Sequence, residues 1–105
     1  MCALKNIKEL CDAGAKAHSA GDSLNGDFLL QQAYAQARGL NSPVLEAKIL
    51  NTMAVFALEG KRAKKAVPLL SEAREKVKDR IGTKNKLYEI ICRNLLQAQV
   101  AAVMG

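Results

Sequence analysis

The chain is predicted to be all-α, built from antiparallel helical hairpins, with about five helices in total. Three observations predict it. Apolar residues recur at three- and four-residue spacing over stretches of helical length. Glycine, proline and capping residues punctuate the chain at intervals of about 20 residues. Small and large apolar residues also repeat together at a period of about 40 residues, the signature of stacked helix pairs.

The first helix is expected over about residues 3–19. Leu4, Ile7, Leu10, Cys11, Gly14 and Ala17 fall on one helical face. Ala20-Gly21-Asp22-Ser23 ends it, with Gly21 in the left-handed position and Asp22 or Ser23 capping the next helix. The second helix covers about 24–38. Gly26 is a poor helix former, so its place inside the pattern points to close packing or a late start. Gly39 and Asn41-Ser42-Pro43 close this helix and open the third, with Ser42 at the cap, Pro43 in the first turn and Glu46 in a capping arrangement. The third helix covers about 43–58 and ends at Gly60. The fourth covers about 61–80 and ends at Gly82; Pro68 inside it removes one backbone hydrogen bond and is expected to bend it. Thr83 is expected to cap the fifth helix, about 85–103. No stretch shows the alternation of a strand.

The repeat is visible when Gly14, Ala54 and Cys92 are aligned, 40 and 38 residues apart. Leu10, Leu50 and Tyr88 stand four before them, and Ala17, Ala57 and Leu95 three after. Gly26, Leu30 and Ala33 in the second helix match Ala66, Leu70 and Ala73 in the fourth. Small residues at these places let two antiparallel helices approach closely. The expected organisation is a single domain over 1–105: repeat one at about 3–40, repeat two at about 43–82, and a terminal helix at about 83–104.

The second repeat, Leu50-Asn51-Thr52-Met53-Ala54, Gly60-Lys61 and Ala66-Val67-Pro68-Leu69, resembles the tetratricopeptide repeat in its longer, kinesin-light-chain variety. The match covers about residues 45–82 and, more faintly, 5–40. One extra residue lies between Gly60 and Ala66, and the usual first-helix aromatic and helix-ending proline are absent. The resemblance implies a short right-handed array whose first helices line a groove that holds a protein segment.

Net charge is +6, from 16 Lys and Arg against 10 Asp and Glu. It is uneven: ten of those cations, against three acids, lie within residues 61–86. Such a segment favours acidic partners: a peptide, nucleic acid or an anionic surface. Cys2, Cys11 and Cys92 are an odd number without paired spacing, so free thiols in a reducing cytoplasm are expected, with no zinc site. Lys5, Lys8 and Glu9 interrupt the start of the chain, so no signal peptide is expected, and no apolar run is long enough to span a membrane.

Catalysis needs a constellation, and none is legible. His18 stands alone, with no carboxylate or cysteine at useful helical spacing, and reads as a surface or groove histidine. No phosphate loop, zinc-protease motif or nucleophile elbow occurs. A non-enzymatic interaction module without a cofactor is the expectation. On the resemblance, Lys8, Cys11, Ala15 and His18, then Lys48, Asn51, Val55 and Leu58, then Lys86, Glu89, Arg93 and Leu96 face the groove. Lys8, Lys48 and Lys86 are equivalent, and with His18, Asn51 and Arg93 they are the residues expected to grip an acidic segment. The chaperone-binding clamp of the family is not expected, because Cys11 and Ala15 occupy two of its positions. The alternative is a small basic nucleic-acid-binding protein using the fourth helix, although no aromatics are interleaved for base stacking. Ile90, Ile91, Leu95 and Leu96 are more apolar than one contact stripe requires, so the last helix is expected to be an association face, for a second copy or another protein.

Overall fold

The structure is a computed structural model that describes residues 2–105, the side chain of Cys2 excepted. It contains five helices: α1 (Cys2–Ser19), α2 (Ser23–Gly39), α3 (Pro43–Glu59), α4 (Ala63–Ile81) and α5 (Lys86–Met104). No strand occurs among the described residues, and no helix is long and apolar enough to cross a membrane. The packing divides the chain into two compact units, Met1–Ser42 and Pro43–Gly105. In the first, α1 packs on α2. In the second, α4 packs on both α3 and α5. The two expected hairpins thus fall one in each unit, with the terminal helix in the second.

Three turns are built alike, and each recurs 20 residues after the last. The amide of Asp22 donates to the Ala17 carbonyl at 2.8 Å, that of Ser42 to Ala37 at 3.4 Å, and that of Arg62 to Ala57 at 2.7 Å. The preceding amides, Gly21, Asn41 and Lys61, donate to His18, Arg38 and Leu58. This paired pattern satisfies the carbonyls left over at a helix end and needs one left-handed residue. Gly21 supplies it at φ 86°, Asn41 at 53° and Lys61 at 60°. In the second and third turns the left-handed residue is therefore not Gly39 or Gly60 but the residue two or one further on. Asparagine adopts this conformation readily, whereas lysine does so at a cost of about 1 kcal/mol.

The fourth turn is one residue longer and works differently. Gly82 holds φ 82°. Asn85, not Thr83, caps α5: its Oδ1 accepts from the Tyr88 amide at 2.8 Å, and its Nδ2 donates to the Gly82 carbonyl at 2.9 Å. Asp22 caps α2 by accepting from Asn25, as expected. α4 starts two residues later than the sequence suggests, since Lys61 and Arg62 belong to the turn. It stays helical through Pro68, whose ring is exposed. Glu46 does not close a capping box; its carboxylate pairs with Lys76 of α4.

Small side chains make the helix contacts. Within the first unit Ile7, Leu30, Ala33 and Ala37 are buried. A Cβ on Gly14 would sit 2.9 Å from Leu30 Cγ and 3.2 Å from the Gly26 carbonyl, so α1 and α2 meet where only glycine fits. Within the second unit Leu50, Ala54 and Ala57 of α3 and Ala66, Leu70, Ala73 and Val77 of α4 are buried, and α5 contributes Ile91, Leu95 and Ala98. Burying alanine adds little hydrophobic free energy, but it brings backbones together and gives the larger Leu and Ile chains dense surroundings. Replacing Ala54 or Ala66, both 0 % exposed, by leucine is expected to destabilise the chain by roughly 1–3 kcal/mol. Thermal melting measures this; unchanged melting of both variants contradicts the α3–α4 contact.

Candidate interaction surface

α3 and α5 both lie against α4, and two short turns make them run in the same direction. They are joined directly by one polar contact: Asn94 Nδ2 donates to Asn51 Oδ1 at 2.9 Å. Asn51, expected to offer its amide to a ligand, is thus half-buried and engaged within the unit. Lys48 stands one turn before Asn51, on the same side of α3, and is exposed. Lys86 and Arg93, seven residues apart, share a side of α5 and are also exposed. The structure therefore brings Lys48, Asn51, Lys86 and Arg93 onto one packed unit. Lys8 belongs to the first unit, where its ammonium lies 3.4 Å from Asp12 on the open surface of α1. An exposed pair of this kind contributes little to stability.

His18 is placed differently from its sequence reading. Its side chain is only 4 % exposed. The ring lies over Gly26, where an added Cβ would come within 2.8 Å of Nε2 and 2.9 Å of Cγ. Its Nε2 also stands 2.9 Å from Oδ1 of Asp27, a close electrostatic contact. The carboxylate that no helical spacing within α1 supplies comes from the facing helix. A ring enclosed in this way joins α1 to α2 and is not the open surface or groove histidine that the sequence suggests.

The basic segment is also reorganised. Lys76 is drawn inward, with Nζ 2.9 Å from Glu46 Oε1 and 3.6 Å from Glu72. The Glu46 side chain is only 7 % exposed, so this cation compensates a nearly buried carboxylate. Arg74 lies 3.2 Å from Glu75. The cations that remain outermost fall into two groups, Lys61, Lys64 and Lys65 before the middle of α4 and Lys78, Arg80, Lys84 and Lys86 after it. Thirteen residues of helix separate Lys65 from Lys78, or about 20 Å. Lys78 and Arg80 also face the negative end of the α4 dipole.

The expected association face divides. Ile91 is 0 % exposed and Leu95 3 %, both within the helix packing of their unit. Ile90 is half-buried, and Leu96 alone of the four is open, at 63 %. The exposed apolar residues near it are Val100, Val103 and Met104; Val100 and Val103 belong to the same excess of apolar residues that the sequence of this helix shows.

Burial, and to a lesser extent Asp12, push the Cys11 thiol above its ordinary range, with Lys8 opposing. A thiol so placed is a poor nucleophile at neutral pH. The Tyr88 phenol is raised chiefly by its hydrogen bond with the Cys92 side chain. Cys11 and Cys92 are free and half-buried; the Cys2 side chain, counted with them in the sequence, lies outside the described residues. Among those residues no group of three His, Cys, Asp or Glu side chains could hold a metal ion. No protein-family model matches the chain, and neither does any curated protein or solved structure.

Gly26→Ala is expected to lower stability even though alanine is the better helix former by about 1 kcal/mol, because the methyl group displaces the His18 ring. The double variant Gly26→Ala with His18→Ala is expected to recover most of that loss. Chemical denaturation of the four chains measures the coupling, and additive effects contradict the contact.

Proposed function

We propose that the chain is a non-enzymatic interaction module of tetratricopeptide-like build that holds an acidic segment of another protein against α3 and α5. The observation that supports it best is the pairing of these two parallel helices on the common support of α4. Asn51 and Asn94 fix their spacing, while Lys48, Lys86 and Arg93 stay exposed beside the pair. Carboxylates of an extended or helical segment would receive charge-assisted hydrogen bonds from these cations. A support whose side chains are already ordered lowers the entropy lost on binding. The free, half-buried thiols suit a reducing compartment such as the cytoplasm.

Nucleic-acid binding is the second reading, favoured by the ten cations of residues 61–86. Internal pairing of Lys76 and Arg74 and the gap between the two exposed groups leave less continuous charge than the sequence suggests.

Charge reversal separates the two. With a partner captured from native cells, Lys48→Glu combined with Lys86→Glu is expected to weaken binding about tenfold or more, and Lys64→Glu combined with Lys78→Glu much less. If duplex or single-stranded oligonucleotides bind the chain at low salt, with affinity falling steeply as salt rises and depending on Lys64 and Lys78, the nucleic-acid reading replaces this one.

A further inference from the structure

Three shallow depressions adjoin one another in the second unit. The first, about 330 Å³, is lined by Gln99, Val100, Val103 and Met104, almost wholly with carbon. The second, also about 330 Å³, shares Met104 and adds Leu58, Lys61, Ala63 and Ala101. The third, about 280 Å³, shares Lys61 and Ala63 and adds Arg62 and Lys64. Together they form one surface that passes from apolar, along the last turns of α5, to cationic, at the start of α4. Leu96, Val100 and Val103 extend the apolar side at four- and three-residue spacing, with exposures of 63, 54 and 87 %. Residues 61–65 hold four cations and no acid.

We propose that this surface docks an amphipathic, acidic helix of another protein. Its apolar side chains would fill the two depressions around Met104, and carboxylates on its flank would meet Lys61 and Lys64. The chemistry follows from the surface itself. Apolar recesses reward buried methyl and methylene groups, and a cationic border selects negative charge and repels positive. A bilayer does not fit as well, because no aromatic side chain lines these depressions for the interface. Nucleic acid has no use for carbon-lined hollows without stacking rings. A second copy of the chain brings the same net charge of +6, so it supplies no excess of carboxylates to meet Lys61 and Lys64. The surface shares no residue with Lys48, Lys86 or Arg93, so it stands or falls apart from the reading given above.

The test uses the 105-residue chain and two labelled synthetic helices of about 18 residues, long enough for five turns. One carries leucine at i, i+3, i+4 and i+7 with glutamates alongside; in the other, lysines replace the glutamates. Fluorescence anisotropy is expected to show binding of the acidic helix, at least about tenfold weaker binding of the basic one, and weaker binding of the acidic helix at higher salt. Val103→Glu, and separately Lys61→Glu combined with Lys64→Glu, are expected to cost about tenfold each, with melting temperatures unchanged because these side chains are exposed. Lys48→Glu combined with Lys86→Glu is expected to leave the acidic helix bound as before. Equal binding of the two helices overturns the proposal, and so does loss of binding in the Lys48 and Lys86 variant alone. Two further results overturn it. One is Val103-dependent sedimentation with phosphatidylserine vesicles in place of helix binding. The other is a sedimentation-velocity dimer of the free chain that Val103→Glu dissolves.

Discussion

Close approach of neighbouring helices, made possible by glycine and alanine at their crossings, is the constraint on which the rest of this structure depends. At Gly14 a single added carbon would collide with Leu30, and at Ala54 and Ala66 no surface is left to solvent. Because the helices lie so near, the larger residues beside the crossings are enclosed without any large aromatic: Leu30, Leu70, Ile91 and Val77 are the largest fully buried side chains. The same proximity lets polar groups meet across helices. Lys76 reaches Glu46, and Asn94 reaches Asn51. Both pairs link residues distant in sequence, and both fix the polar groups that remain available at the surface.

Much of the architecture was legible in the chain. Apolar spacing identified all five helices, and Asp22, Gly21, Pro43 and Gly82 marked their limits. The 40-residue recurrence located the crossing residues, since a small side chain returning at a fixed interval marks the same close contact each time. What was misread has a common physical cause. Thr83 and Asn85 are both competent caps, and only the backbone path decides between them. Lys61 carries no sign of a left-handed conformation, because the turn imposes it against lysine's own preference.

The surface was less legible than the fold. Lys48, Lys86 and Arg93 are exposed, because a charged residue opposite an apolar stripe has nowhere else to go. His18 and Asn51 were misplaced because their partners sit on other helices. For His18 a signal did exist: His18 and Gly26 stand equally far from the turn at Asp22, as do Gly14 and Leu30. In an antiparallel hairpin, residues equidistant from the turn face each other, and a glycine opposite a ring is a place made for that ring. For Asn51 no such rule exists, since α3 and α5 are separated by a whole helix. Consecutive apolar pairs on α5 were also ambiguous: one of each pair is buried, and the partners Ile90 and Leu96 fall on different sides.

The Asn51–Asn94 bond has a consequence for how α5 finds its place. The stretch of α5 that enters the core is a ladder of Ile91, Leu95 and Ala98, and a slide by one helical turn would bring the small Ala98 toward the place of Leu95 and open a gap there. Such a slide would also separate the side-chain amides of Asn51 and Asn94. Both amides are half-buried, so the loss is that of one hydrogen bond, about 1 kcal/mol. The two polar side chains thus add to what the apolar ones impose: together they make one alignment of α5 distinguishable from its near neighbours, and the surface that α3 and α5 share keeps a single geometry.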